Sequence, residues 1–300
     1  MIAVHIENGR VEVRRRPKPR RREGFALIRL LCGGICHTDL ELQRGYYGFR
    51  GTPGHEFVGE VVQADDPGLL GRRVVGEINL ACGRCNWCGR GLGRHCPNRA
   101  VLGIAKHPGA FSEFFTLPER NLHIVPERVA TEEAVFTEPL AAACEILDQV
   151  QIPREDAVAV RGKGKLGLLI GQVLAAHGYV VHLYGRQDGV PRAAFRWVVD
   201  ATGSAEGLRQ AVEMVEPRGV IIMKSTVHGT VAMDTAPIVV NEVTLIGSRC
   251  GRFEPALELL RGGELRLEEM ISARLPLSEA PRAFQRAAQK GVLKVLLTPG

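Results

Sequence analysis

Between residues 156 and 184 the chain can fold in few ways. Residues 157–160 form a short apolar run of β type. Arg161-Gly162-Lys163-Gly164-Lys165-Leu166-Gly167 follows, then an apolar stretch to Ala176, then Gly178 and a second β-type run at 179–184. This reads as strand, glycine turn, helix, strand, and strands joined through a helix pair in parallel. Gly162, Gly164 and Gly167 spell G-x-G-x-x-G, a weak motif alone but a meaningful one between a strand and a helix. The first glycine permits the turn, the second lets a pyrophosphate approach the backbone, and the third lets helix and strand pack closely. The helix start at Lys165 and Leu166 offers free N–H groups to phosphates. All five residues are candidate cofactor contacts.

An acidic residue about 20 positions further on normally reads the cofactor ribose. Here the second run ends His182-Leu183-Tyr184-Gly185-Arg186. Gly185 stands where the acid is expected. A glycine removes a carboxylate that would repel a 2′-phosphate, and Arg186 can pair with one. Lys163 and Lys165 add positive charge. The pattern favours NADP over NAD; the plain alternative is that Arg186 is a surface charge. Only ten residues, 187–196, separate Arg186 from Trp197-Val-Val-Asp200. A crossover between parallel strands takes about a dozen residues, usually with a helix. The third strand of a dinucleotide fold and its helices are therefore expected to be missing. The expected sheet has five strands in the order 2-1-4-5-6, with the second at an edge. Further on, residues 205–215 read as a helix, 219–224 as a strand and 239–247 as a strand region.

Four of the eight cysteines, Cys82, Cys85, Cys88 and Cys96, fall within fifteen residues. Two-residue gaps let thiolates converge on one ion, and four soft ligands describe a closed structural zinc site. In a cytosolic chain zinc is favoured over disulfides. An iron–sulfur run would have three residues in its third gap, not seven.

The first 150 residues carry short alternating runs at 11–13, 26–31, 57–62, 73–75 and 111–116, set apart by Gly/Pro turns. They suggest a small barrel-like β region. No apolar run reaches the roughly 20 residues of a membrane span. The candidate at 166–181 is interrupted by Gln172, His177 and Gly178. The first residues show no signal-peptide pattern, so the expected location is cytoplasmic, with no membrane partner. Arg14, Arg15, Arg16, Lys18, Arg20, Arg21 and Arg22 make the densest basic cluster in a chain of net charge +6. No aromatic residues are interleaved for base stacking, so a solvated turn is favoured over a nucleic-acid patch.

Cys36-His37-Thr38-Asp39, Gly54-His55-Glu56 and Thr137-Glu138-Pro139-Leu140 offer Cys, His and Glu, all plausible zinc ligands. Spacing alone does not join them. Together with the four-cysteine loop, the chain resembles the zinc-dependent alcohol dehydrogenases of the medium-chain dehydrogenase/reductase family. The resemblance spans nearly the whole chain. It rests on Gly33-Gly-Ile-Cys-His-Thr-Asp39, Gly54-His-Glu-Phe-Val-Gly59, the cysteine lobe, Glu138-Pro-Leu140, the glycine loop and Asp200-Ala-Thr-Gly203. Glu-Pro-Leu points to the polyol and threonine dehydrogenase branch.

The resemblance implies an α/β architecture: a GroES-like β-barrel catalytic domain, 1–147 with 249–300, and a truncated Rossmann coenzyme domain, 148–248. It implies two zinc ions per chain. Cys36, His55 and Glu138 would hold the catalytic zinc, with Glu56 behind it or alternating as a ligand. Cys82, Cys85, Cys88 and Cys96 would hold the structural zinc. Cys144 is a rival third ligand, with a packed helix residue as the plainer reading. Asp39 would orient His55, Thr38 would accept the alcohol proton, and Thr202 would join the cofactor contacts. The implied reaction is hydride transfer between NAD(P) and a small secondary alcohol, polyol or amino alcohol, or its carbonyl product. A homo-oligomer, dimer or tetramer, is implied as well. One departure is Glu41, where many members carry a His that completes the proton path; a Glu titrates far lower. The alternative function is a non-catalytic zinc- and nucleotide-binding protein with a decayed coenzyme domain. A nucleic-acid-binding zinc ribbon would leave Cys36, His55, Glu138 and the glycine loop unexplained.

Overall fold

The apolar run at 25–34 becomes the strand Phe25–Gly34, buried along most of its length. A near-continuous apolar run is what a strand covered on both faces requires. The computed structural model of the chain describes residues 1–227 and 229–300, apart from the side chain of Tyr47. The described residues pack as two compact units: Met1–Glu138 with Leu267–Gly300, and Pro139–Arg266.

In the first unit Phe25–Gly34 organises a seven-stranded sheet. Glu56–Gln63 pairs antiparallel along one edge. Phe114–Pro118 and then Lys294–Thr298 pair along the other. Arg73–Gly76 and Leu122–Ile124 extend one side, and Ile271–Pro276 closes the other. The core is Ile28, Leu30, Val58, Val61, Val74, Leu117 and Leu296, with Phe57 and Phe115 edge to face at 4.8 Å. The expected strand at 111–116 begins instead at Phe114. Phe111 lies outside it because its backbone N–H donates to the Pro53 carbonyl. A Cβ on Gly54 would stand 2.4 Å from the Phe111 ring, so that glycine is what lets the ring lie there.

Most of the basic cluster is tied down. Arg14 pairs with Glu7 and Glu12, and Arg21 with Asp65. Lys18 and Arg22 lie over the rings of Phe114 and Phe25.

In the second unit five parallel strands run in the order Val181–Tyr184, Val158–Arg161, Phe195–Asp200, Val215–Met223, Thr244–Gly247. This is the 2-1-4-5-6 arrangement. The segment between Tyr184 and Phe195 holds no helix, and Val181–Tyr184 is an edge strand. Gly162 adopts φ +121°, open to glycine, and a Cβ on Gly167 would meet the Gly162 carbonyl oxygen at 1.7 Å. The loop therefore closes onto the helix Lys165–Ala176 only with these two residues. One expectation fails: Val239 and Val240 belong to the helix Ala236–Val240, and the last strand starts at Thr244. Pro237 in the first helical turn explains it, since its fixed φ suits a helix start. No helix among the described residues is long and apolar enough to cross a membrane.

Register puts Arg161 beside both Tyr184 and Asp200. The glycine loop, Gly185 and Thr202 thus share the C-terminal edge of the sheet, at the point where strand order reverses. Ligands of open parallel sheets bind there.

Candidate active site

Cys36 ends the loop after Phe25–Gly34 and caps the helix His37–Gln43. His55 precedes, and Glu56 begins, the neighbouring strand Glu56–Gln63. Antiparallel pairing of Gly34 with Glu56 brings the two segments together. The donor atoms of Cys36, His55 and Glu56 all lie within 4.8 Å of one another.

Asp39, fully buried, ties this group. Its Oδ2 accepts the Cys36 N–H at 2.9 Å and its Oδ1 the Gly54 N–H at 3.1 Å. Oδ1 also faces His55 Nδ1 at 3.5 Å. That is beyond a good hydrogen bond, and Nδ1 has no other partner in its buried position. Burial pushes the His55 imidazole pKa down. The charges of Asp39 and Cys36 push it up by more, so the net direction is well above the ordinary value. A buried imidazole beside a carboxyl group and a cysteine sulfur, with a second carboxyl close by, is a donor set for a cation. With Nδ1 turned to a carboxylate, Nε2 is left as the ligand atom, as in carboxylate–histidine–zinc arrangements. Thiolate, imidazole and carboxylate suit Zn²⁺. Asp39→Asn should therefore weaken metal binding about 10- to 100-fold, measured by competition with a chromogenic chelator.

Glu56 brings a feature that the sequence reading missed. Its Oε2 forms an ion pair with Lys294, and both side chains are nearly inaccessible, at 1% and 3% exposure. Burial pushes the Lys294 pKa down, but Glu56, Cys36 and Glu138 raise it, and the net direction is up. The Phe136 ring lies 5.4 Å from its Nζ. The one local signal is a lysine inside the apolar run 292–297. Glu138, in the first turn of Thr137–Gln149, acts electrostatically on Lys294 but stands outside the three-donor group. Cys144 belongs to no donor group among the described residues. Burial lifts its thiol to about 12, as for a packed helix residue. Thr38 Oγ1 lies 3.8 Å from Cys36 Sγ. Glu41 is engaged by His37 at 3.3 Å and Arg44 at 2.5 Å.

The four-cysteine loop closes on itself. Sγ separations are 3.9 Å for Cys82–Cys88, 3.5 Å for Cys85–Cys88, 3.7 Å for Cys85–Cys96 and 3.5 Å for Cys82–Cys96. Zn–S bonds of about 2.3 Å give a tetrahedron with edges of about 3.8 Å, so the thiols fit zinc without rearrangement. The Arg84 N–H and the Cys96 thiol hold the Cys82 pKa down to about 6. Burial and its sulfur neighbours lift Cys88 to about 11.

At the sheet edge Lys165 and Leu166 open the helix that Gly164 caps. Arg186 is exposed. The Thr202 hydroxyl and N–H both donate to Asp200 Oδ1, at 2.7 and 3.0 Å. Asp188 was not singled out in the sequence. Its carboxylate accepts the Gly185 N–H at 2.8 Å and pairs with Lys163 at 2.6 Å.

Residues 22–127 match the alcohol dehydrogenase GroES-like domain. With the metal-ligand group, the thiol cluster and the parallel nucleotide-type sheet, this makes the chain similar to the zinc-dependent alcohol dehydrogenases of the medium-chain dehydrogenase/reductase family. Among curated proteins it is similar to sorbitol dehydrogenase of Halalkalibacterium halodurans, at 26% identity over 100% of this chain and 98% of that one. Among solved structures, a proposed zinc-binding dehydrogenase of Sinorhizobium meliloti 1021 bound to NADP is 27% identical, with TM-score 0.90 over 99% of each chain. The short chain alcohol dehydrogenase rspB of Escherichia coli CFT073, complexed with NADH, is 25% identical, with TM-score 0.87 over 99% of each chain.

Proposed function

We propose that the protein transfers a hydride between NADP, in preference to NAD, and a small secondary alcohol, polyol or amino alcohol, or the carbonyl product. The donor group of Cys36, His55 and Glu56 carries this reading. The catalytic domain is taken as 1–147 with 249–300 and the coenzyme domain as 148–248. Cys36, His55 and Glu138 hold a catalytic zinc, with Glu56 as the alternating ligand. Cys82, Cys85, Cys88 and Cys96 hold a structural one. When bound, zinc supplies a Lewis acid that lowers the alcohol pKa, and the nicotinamide supplies the hydride acceptor.

The chain's own residues do the rest. Asp39 fixes the imidazole of His55. Thr38 takes the alcohol proton, since a hydroxyl accepts and donates at once. Glu41 would be the next relay group, but it is engaged by His37 and Arg44. Lys294 holds the Glu56 carboxyl in its buried position. Gly162, Gly164, Lys165, Leu166, Gly167 and Thr202 cradle the dinucleotide.

The edge strand Thr244–Gly247, with Val239 and Val240 73% and 78% exposed and Leu245 41% exposed, supports a homo-oligomer. Eight free cysteines support a reducing, cytoplasmic setting. The missing third strand favours the alternative, a non-catalytic member, while the well-formed glycine loop speaks for binding. A titration with NADPH and NADH decides. NADPH is expected to bind more tightly, and Arg186→Ala to weaken it by about tenfold, as for one charge-assisted contact. Binding of neither nucleotide would bring the alternative forward.

A further inference from the structure

The short crossover after Val181–Tyr184 turns back at once. Asp188 Oδ2 accepts the Gly185 N–H at 2.8 Å and meets Lys163 Nζ at 2.6 Å. Lys163 is the first variable residue of the glycine motif. Its side chain lies over Gly185, where a Cβ would stand 3.1 Å from Lys163 Cδ. Behind them Arg161, 4% exposed, donates to the carbonyls of Tyr184 at 3.0 Å and Gly185 at 2.6 Å. It also donates to Gln210 at 2.7 Å through Nε. This guanidinium fixes the end of the edge strand. The result is a seat for one anion, built from a backbone N–H and an ammonium, with a second cation beneath it. The seat lies at the end of the second strand, where dinucleotide folds read the adenosine ribose. An anion from the chain itself already fills it.

We propose that Asp188 is the specificity-determining residue for the cofactor, its carboxylate occupying the seat of the 2′-phosphate. The proposal rests on the dinucleotide-binding reading above. NADP binds by displacing Asp188 from Lys163 and the Gly185 N–H. NAD leaves Asp188 in place to accept a ribose hydroxyl. Lys163 and Asp188 are 47% and 39% exposed, so their pairing is weak and the carboxylate can swing aside. It still remains close to the incoming phosphate, and this like-charge contact discriminates against NADP. Arg186 and Lys163 pull the other way. The preference is set by that contest, and the shortened crossover brings Asp188 into it.

Asp188→Asn keeps the shape and an acceptor for Gly185 but removes the charge; Asp188→Ser removes both reach and charge. Equilibrium titrations of the zinc-loaded wild type and both variants with NADPH, NADH, 2′,5′-ADP and 5′-AMP test the proposal. Both variants are expected to raise the NADPH-to-NADH affinity ratio about tenfold. The ratio change should come from both sides: 2′,5′-ADP binds more tightly without the like charge, and 5′-AMP binds more weakly in Asp188→Ser, which has lost the ribose acceptor. An unchanged ratio, or one moved toward NADH, with nucleotides still bound, overturns the proposal. Failure of every nucleotide to bind wild type and variants alike overturns the dinucleotide reading itself, and the role of Asp188 with it.

Discussion

Lys294→Met is expected to destabilise the protein by about 3–5 kcal/mol, because it leaves the buried Glu56 carboxyl without its ion-pair partner. The two side chains sit 238 positions apart in sequence and are both sealed from solvent. A surface pair of this kind would contribute about 0–1 kcal/mol. Removing one member of a buried pair costs far more, since the survivor cannot recover its hydration. The double variant Lys294→Met/Glu56→Gln should regain most of the loss, and the cycle isolates the pair energy. Chemical unfolding of the four proteins reads it. Cost below about 1 kcal/mol in the single variant would mean that water reaches Glu56.

The pH dependence follows from the same geometry. Lys294 is raised in the fold relative to the unfolded chain. Its stabilisation is complete below the unfolded value of about 10.4 and fades only as pH rises through the higher folded value. The pair is thus intact at neutral pH.

His55→Ala should have the largest effect on chemistry. It removes the imidazole between Asp39 and Cys36 and leaves the four-thiol cluster untouched, because the two donor groups share no residue. On the proposed two-zinc reading, zinc content should fall from two to one per chain, with the fold retained. A Lewis-acid ion supplies several kcal/mol of transition-state stabilisation, so kcat should drop about a thousandfold or more. Elemental analysis beside turnover checks both halves. Loss of both ions together would show that the two sites are not independent.

Much of this site could be read from residue order because its parts are local. The glycine loop, the strand before it and the helix after it lie within one short segment. The ten residues at 187–196 are too few for a strand and two helices, which fixes a five-stranded sheet from length alone. The thiol cluster is equally local. The Lys294–Glu56 pair was hidden because its members meet only through sheet closure across the whole chain. Asp188 was hidden for another reason: its place depends on a turn without regular structure, where no periodicity speaks. Val239 and Val240 read as strand by composition, yet Pro237 starts a helix and their side chains stay outside the core. Phe111 likewise reads as strand, but the space over Gly54 takes its ring.

The most direct test of the account is nicotinamide reduction by zinc-loaded protein, with NADP and NAD, against a panel of polyols, secondary alcohols and amino alcohols, beside Cys36→Ser as control. Reduced nicotinamide is expected with at least one member of the panel, and none above background for the control. Both metal sites filled and cofactor bound, but no turnover with any member, or equal turnover in Cys36→Ser, would contradict it.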